Sequence, residues 1–268
     1  MTITTKGTAL ITGASAGIGA EYAEQLARRG HDLILVARDA ARLQANAQRL
    51  RAATGRSIEV LPADLTDRAD LAHIVQRVEH DPSLTLLVNN AGIALAGTLL
   101  DADSASIERL IALNITAPTL LAAAAARAFK ARGAGRIVNI GSVVALAPEI
   151  FESSYAGSKA YVLGLTQSLA AQLADSGVTV QAVLPGLTRT EILDRAGRSF
   201  DEFPAEHVME VEDLVAAGLT GLDRGETITI PPLPDAADWD RFEAARQALA
   251  PNLSHRRPGV RYREAIAA

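Results

Sequence analysis

The chain has 268 residues, of which 49% are hydrophobic and 21% charged, and its formal net charge is −5. That apolar content lies above the disordered range, and the length suits one α/β domain with a large core. The acidic balance gives no general basic field for nucleic acid, and the absence of cysteine excludes disulfides, thiolate metal sites and a cysteine nucleophile.

In chain order, the polar stretch from Met1 to Lys6 has no signal-peptide character and leads directly into a strand. The longest apolar run, Leu120 to Ala126, is too short for a membrane span, so the default expectation is a cytoplasmic protein with no membrane partner. Ala9, Leu10 and Ile11 read as a buried strand. The loop Thr12-Gly13-Ala14-Ser15-Ala16-Gly17-Ile18-Gly19 follows, then a helix over Ala20 to Arg29 with Gly30 as its C-terminal cap. Strand, glycine loop and helix in that order make a phosphate cradle. Gly13, Gly17 and Gly19 let the backbone approach a pyrophosphate, and the helix N-terminus offers unpaired N–H groups around Ser15 and Ile18.

Short apolar runs recur at Asp32 to Ala37, Ile58 to Leu61, Leu84 to Asn89, Arg136 to Ile140, Val178 to Leu184 and Thr227 to Ile230. Helical patterns fill Ala40 to Ala53, Asp67 to Glu79 and Ser104 to Ala131, and Pro118 should kink or interrupt the last of these. A further helix begins near Ser153. Repeated strand–helix units predict one doubly wound, Rossmann-type α/β domain over residues 1–268. Its sheet is mainly parallel, with about seven strands and helices on both faces. After Ile230 the run Pro231-Pro232-Leu233-Pro234 breaks the pattern. Residues 232–268 form a C-terminal extension with a helix over Asp235 to Leu249 and a basic run, His255-Arg256-Arg257, read as a solvated or subunit-contacting arm.

Chemistry concentrates where these strands end, which is where open α/β sheets bind ligands. Tyr155 and Lys159 stand four apart in Ser153-Ser154-Tyr155-Ala156-Gly157-Ser158-Lys159 and so share a helix face. A lysine ammonium there favours the phenolate of a tyrosine whose ordinary pKa is about 10, which makes the pair a candidate acid/base device. Ser142 follows the fifth of these strands. Asn114 sits in the helical run Ile111-Ala112-Leu113-Asn114-Ile115 and needs hydrogen-bond partners there. Asn89-Asn90-Ala91-Gly92 follows another strand, and its polar side chains can hold the strand ends and approach a ribose. Pro185-Gly186-Leu187-Thr188-Arg189-Thr190 follows the sixth. Its Gly186 backbone and the Thr188 or Thr190 hydroxyl can fix a carboxamide. At the end of the second strand stands Ala37, where an acid would bond the ribose hydroxyls of NAD, and Arg38 comes next. A guanidinium there can grip a 2′-phosphate, which favours NADP(H) over NAD(H). Two features oppose this reading: Ala16 puts no second basic residue inside the glycine loop, and Asp39 could swing in or pair with Arg38. Arg38 could also be an exposed helix-flanking charge.

In combination, Thr12 to Gly19, Asn89 to Gly92, Asn114, Ser142, Tyr155 with Lys159, and Pro185-Gly186 resemble the classical short-chain dehydrogenase/reductase family, over about Lys6 to Pro231. The resemblance implies an oxidoreductase that interconverts a small-molecule ketone or aldehyde and its alcohol, without a metal. It implies that Ser142 holds the substrate oxygen, that Tyr155 exchanges the proton, and that Lys159 lowers the tyrosine pKa and contacts the nicotinamide ribose. It places Asn114 in a proton relay through a water to Lys159, with a satisfied core amide as the alternative. It puts Asp64 on adenine with Leu65 beside it, although Asp64 in Ala63-Asp64-Leu65-Thr66 also reads as a turn cap. Residues 187–210 resemble the family's substrate loop. Leu193, Phe200, Phe203 and Met209 read equally as an apolar lid or as ordinary packing, while Val143, Val144, Leu95 and Phe151 would favour a mainly apolar substrate and Glu149 and Glu152 would add acidic contacts. Family members pair the helices near Ser104 and Ser153 between subunits, so a homodimer or homotetramer is expected, with the small residues Ala122 to Ala126 at the contact. A catalytically silent nucleotide sensor and an NAD-dependent alcohol dehydrogenase are the competing readings.

Overall fold

The computed structural model describes residues 6–191 and 199–263. The chain divides into two compact units, Met1–Pro232 and Leu233–Ala268.

The first unit is built on a seven-stranded sheet of order β3-β2-β1-β4-β5-β6-β7. Its strands are β1 (Thr8–Thr12), β2 (Asp32–Ala37), β3 (Ile58–Pro62), β4 (Leu84–Asn89), β5 (Gly135–Ile140), β6 (Val178–Val183) and β7 (Ile228–Thr229). Every pairing is parallel, not only most of them. Parallel neighbours need crossovers, supplied by α1 (Gly17–Arg28), α2 (Ala40–Thr54), α3 (Arg68–His80), α4 (Ser104–Ile111), α5 (Ala117–Arg132), α6 (Ser153–Gln172) and α7 (Val211–Asp223). The period of two along each strand sorts side chains between the layers. Ala9, Ile11, Leu33 and Leu35 join Tyr22, Leu26 and Val215 on one face, while Leu10, Ile34 and Leu87 join Ile74, Leu121 and Phe129 on the other. Strands covered on both faces must be apolar throughout, which is why they read as continuous runs.

The helices begin and end where local chemistry allows. Asp39 and Asp67 cap α2 and α3 through Arg42 N and through Ala69 N and Asp70 N. Gly30 takes φ +96 just past α1, as expected of a C-terminal cap. Between α4 and α5 the helix widens into a π-turn, Ala112–Thr116, immediately before Pro118. Proline has no N–H for the carbonyl four residues earlier. The interruption expected from Pro118 thus takes the form of a π-bulge, and Asn114 lies within it.

Two expectations need correction. Ser104–Arg132 forms one helical stretch of 29 residues that is long and apolar enough to cross a membrane by length and composition only, and half of its most apolar window is buried inside the protein. Its alanines at 122, 124, 125 and 126 are buried in the chain's own core instead of facing outward. The helix α7 had no counterpart in the sequence reading, because it starts without a side-chain cap and carries Gly218 and Gly221.

The second unit contains α8 (Ala236–Gln247), capped by Asp235 through Ala237 N, and two short 3₁₀ turns. Trp239 and Phe242 stack with ring centroids 5.4 Å apart. His255, Arg256 and Arg257 are exposed.

Candidate active site

A cleft of about 630 Å³ opens at the carboxyl ends of the strands. Gly13, Ser15, Gly17, Ile18, Arg38, Asp64, Leu65, Asn90, Ser142, Tyr155, Lys159, Gly186, Thr188 and Thr190 all line it. Two expected residues stand behind this wall. Gly19 packs beneath the loop, where a Cβ would come within 2.4 Å of Asn90 Nδ2 and of Gly13 O. Asn114 lies under the backbone of Ile93.

The glycine loop is held from three sides. Thr12 Oγ1 accepts from the N–H groups of Asn90 and Ala91 at 2.9 and 3.0 Å. Asn90 Nδ2 donates to Thr12 O at 2.9 Å, so it locks the ends of β1 and β4 together. Asn46, which sequence reasoning missed, reaches from α2 to Ala14 O and Ser15 O at 3.2 and 3.3 Å. Gly13 takes φ +68, which a side chain would strain. Ala16 at the N-cap of α1 offers no side-chain acceptor, so the first-turn N–H groups stay available to an anion. These features fit a dinucleotide pyrophosphate.

At one end of the cleft Tyr155 and Lys159 project from α6. Glu152 caps that helix by accepting from Ser154 N and Tyr155 N at 2.6 and 2.8 Å, so it is a structural carboxylate and not a free acidic contact. Phe151 packs against the Tyr155 ring at 5.2 Å. The Ser142 hydroxyl bonds toward the Tyr155 phenol and favours its anion, but burial outweighs this and pushes the phenol up to about 12. Lys159 is 6% exposed. Burial lowers its ammonium to about 8. Its Nζ donates to Ile140 O at 2.9 Å and sits 5.4 Å from the Tyr155 ring centroid. The expected lowering of the tyrosine by the lysine is therefore absent from the protein alone, because withdrawing water is the larger effect here.

Asn114 is fully paired. Its Oδ1 accepts from Ile93 N at 2.9 Å, and its Nδ2 donates to Ile93 O and Ser158 Oγ at 2.8 and 3.1 Å. Ser158 Oγ in turn donates to Tyr155 O at 2.7 Å. The amide thus ties the π-turn to α6. It also stands close to the lysine: a side chain at Gly92 would meet Asn114 Oδ1 at 3.3 Å and Lys159 Nζ at 3.7 Å.

At the other end the charges are half-exposed. Asp64 Oδ1 accepts from Thr66 N and Oγ1 at 3.0 and 2.7 Å, the turn-cap geometry. Its Oδ2 faces Arg38 at 3.9 Å and Arg109 at 3.5 Å. The Thr66 hydrogen bonds and these guanidinium charges offset burial and hold the carboxyl below its usual range. Asp39 does not pair with Arg38; it caps α2 and meets Arg42 at 3.5 Å.

The described residues expected in a lid and an apolar wall do not line this cleft. Among the described residues, Phe200, Phe203, Met209, Val143, Val144, Leu95 and Phe151 are absent from its lining. Phe200 lies under the Arg189 guanidinium at 5.4 Å, Met209 bridges Thr188 in strand fashion, and Leu193 lies outside the described residues. Glu149 is not in the lining either. Ile93, Ala94 and Leu113 supply apolar surface there instead.

Residues 7–199 match the family model described as short chain dehydrogenase. The galactitol 2-dehydrogenase (L-tagatose-forming) of Cereibacter sphaeroides is 40% identical over 187 residues, covering 69% of this chain and 72% of that protein. A solved short-chain dehydrogenase from Sphingobium yanoikuyae, in complex with NADPH, is 53% identical with a TM-score of 0.92 and covers 96% of this chain and 100% of that one. The bulky-bulky ketone specific alcohol dehydrogenase from Comamonas testosteroni is 47% identical, with a TM-score of 0.89 and coverage of 97% and 99%. With the glycine loop, the strand-end asparagines and the Ser142, Tyr155 and Lys159 cluster in one cleft, the chain belongs to the classical short-chain dehydrogenase/reductase family of oxidoreductases.

Proposed function

We propose that the protein is an NADP(H)-dependent oxidoreductase that interconverts a bulky ketone and its secondary alcohol, with Tyr155 as proton donor and acceptor. The observation that carries this reading is the convergence of Ser142, Tyr155 and Lys159 on one end of a cleft whose other end holds Arg38 and no acid at position 37. A bound nicotinamide would supply the hydride. Ser142 and Tyr155 hold the substrate oxygen by hydrogen bonds, and Tyr155 delivers its proton to that oxygen in reduction. Lys159 keeps a positive charge beside the phenol below about pH 8. In the protein alone burial outweighs that charge and holds the phenol up at about 12; the lysine would favour the phenolate once cofactor and substrate close over the site. Asn114 and Ser158 fix the π-turn against α6 and so fix where Tyr155 stands. The similarity to proteins described as NADPH-bound and as bulky-bulky ketone specific supports the cofactor and the substrate class.

The test is a panel of ketones and alcohols of graded bulk, followed at the nicotinamide absorbance with NADPH and NADH. Turnover of bulky diaryl or aryl-alkyl ketones with NADPH is expected. Arg38→Ala should weaken NADPH by about 10- to 100-fold and NADH hardly at all, since a lost charged hydrogen bond costs about 1.5–3 kcal/mol. A preference for NADH, or equal weakening of both, rejects the cofactor assignment. No turnover with any pair would favour the nucleotide-sensing alternative.

Assembly is part of the proposal. Ile111, Leu120 and Tyr161 are 44%, 45% and 39% exposed on the outer faces around α5 and α6, and Thr119 and Tyr161 share a hydrogen bond of 2.9 Å across those helices. This apolar surface suits a symmetric homodimer or homotetramer contact. Light scattering that shows only monomer at micromolar concentration rejects it.

A further inference from the structure

Asn46 was not expected at the site. It stands on the inner face of α2, in helical step with Leu43 and Leu50, which are buried together with Ala47. An amide in that row is half-buried and needs partners. It finds them in the glycine loop. Its Nδ2 donates to two consecutive carbonyls, Ala14 O at 3.2 Å and Ser15 O at 3.3 Å. An amide nitrogen carries two hydrogens, one for each carbonyl, and the amide oxygen could not face two acceptors.

Those carbonyls decide where the neighbouring N–H groups point. In a trans peptide the C=O of one residue and the N–H of the next are opposed across a single plane, and no peptide bond among the described residues is cis. With Ala14 O and Ser15 O drawn toward α2, the N–H groups of Ser15 and Ala16 point the other way. Ser15 and Ala16 line the cleft, and Asn46 does not, so the other way is the cleft side. Successive N–H groups aimed together form an anion-binding concavity. The rest of the loop is fixed elsewhere. Asn90 Nδ2 holds Thr12 O where the loop leaves β1, and Ala14 N donates to Val36 O at the end of β2 at 3.3 Å. Asn46 fixes the middle, from a helix whose Leu43, Ala47 and Leu50 are anchored in the core. A carbonyl released from that hold is free to turn its oxygen into the cleft, where it would oppose an anion.

We propose that Asn46 is a positioning residue for the cofactor pyrophosphate, acting through the loop and touching no part of the cofactor itself. This rests on the nicotinamide dinucleotide dependence proposed above. The pyrophosphate is common to NADPH and NADH, so Asn46 raises affinity for both alike and leaves the preference between them to other residues.

The experiment is equilibrium binding of NADPH, NADH, ADP-ribose and 2′-AMP to the purified full chain by calorimetry, for wild type, Asn46→Leu and Asn46→Ala. ADP-ribose carries the pyrophosphate and 2′-AMP does not. Leucine keeps the bulk of the side chain and alanine the helix propensity, so the two variants share the loss of the amide donors. Thermal unfolding without ligand checks that each is folded. Both variants should bind NADPH, NADH and ADP-ribose about 3- to 10-fold more weakly, the scale of one or two neutral hydrogen bonds. The NADPH-to-NADH affinity ratio and the affinity for 2′-AMP should stay as in wild type. Unchanged binding of ADP-ribose by a folded variant overturns the proposal, because Asn46 then only holds the fold. An equal loss for 2′-AMP also overturns it, because the whole cleft is then disturbed. If the wild type prefers NADH, the NADP(H) reading fails, and this inference is still decided by ADP-ribose. If the wild type binds neither dinucleotide, both fall. If it binds them and the Asn46 variants leave the affinities unmoved, only this inference fails.

Discussion

The two ends of the cleft use charge in opposite ways. Around Tyr155 the protein spends burial: one ammonium, Lys159, is enclosed at 6% exposure, with the Ile140 carbonyl as its hydrogen-bond acceptor. Around Arg38 it spends charge number: Arg38, Arg42 and Arg109 meet Asp39, Asp64 and Glu191 across contacts of 3.0 to 3.9 Å, with side chains from 34% to 55% exposed. Water screens the second cluster, so each pair there is weak and exchangeable. Low dielectric magnifies every interaction in the first, where an unpaired group is costly. The difference suits chemistry at one end and reversible gripping of an anion at the other. Substitutions at the buried end should act on turnover and stability, and those at the open end on cofactor affinity alone.

The largest effect should come from Tyr155→Phe. The ring still packs on Phe151, so NADPH should bind nearly as before, while turnover falls by about 10²–10⁴-fold, the usual cost of losing a general acid/base. Steady-state kinetics on the best ketone, with a fluorescence titration of NADPH, measure both quantities. Near-normal turnover would remove Tyr155 from the chemistry and dissolve the contrast.

Lys159→Met probes the stability held at the buried end. The folded lysine titrates at about 8 against an ordinary 10.5. Between those values the unfolded chain binds more protons, so the lysine's contribution makes stability rise with pH there. Below about pH 8 both states are protonated and the full cost of burying the ammonium is present. Lys159→Met should therefore inactivate the enzyme yet stabilise the cofactor-free protein by about 2 kcal/mol at pH 7, since a buried charge costs several kcal/mol before its hydrogen bond is counted. The gain should shrink toward pH 10. Tyr155, whose phenol is raised from 10.0 to about 12, adds stability below pH 10 and loses it above, so urea denaturation is read between pH 6 and 10. A gain independent of pH would show that the ammonium is not enclosed as described.

The smallest effect belongs to the open end. Asp64→Asn removes the carboxylate that Arg38 and Arg109 face and leaves the turn-cap oxygen to accept from Thr66. NADPH should tighten by about 2-fold and NADH should not change, because half-exposed pairs are worth well under 1 kcal/mol. A loss of affinity for both cofactors would instead assign Asp64 to adenine, as the family resemblance implied.

The sheet and its crossovers were legible from residues alone because they rest on short-range chemistry. Apolar runs such as Leu33 to Val36 bury both faces, and the glycine loop announces itself between a strand and a helix. Tyr155 and Lys159 were legible for the same reason, since a spacing of four on a helix places two side chains together. Pro118 marked the interruption of its helix, although not that a π-turn would present Asn114. The helix α7 escaped because its apolar set, Leu214, Val215, Leu219 and Leu222, has no side-chain cap ahead of it and two glycines within it.

What only the tertiary structure decided are the pairings across long stretches of chain and the balance between competing forces. Arg42 and Glu191 lie 149 residues apart and meet at the cleft mouth because α2 starts, and the segment after β6 runs, at the carboxyl ends of the strands. Asn46, Ser158 and the paired state of Asn114 were equally hidden, since a polar side chain does not reveal in sequence which distant backbone it will reach. The spacing of Tyr155 and Lys159 was enough to expect an acid/base pair. It could not weigh desolvation against the neighbouring charge, because the water left around a phenol depends on everything that packs over it. The same limit applies to the expected apolar wall: Val144 and Leu95 are apolar whether they face a substrate or ordinary packing, and they are buried at 6% exposure each.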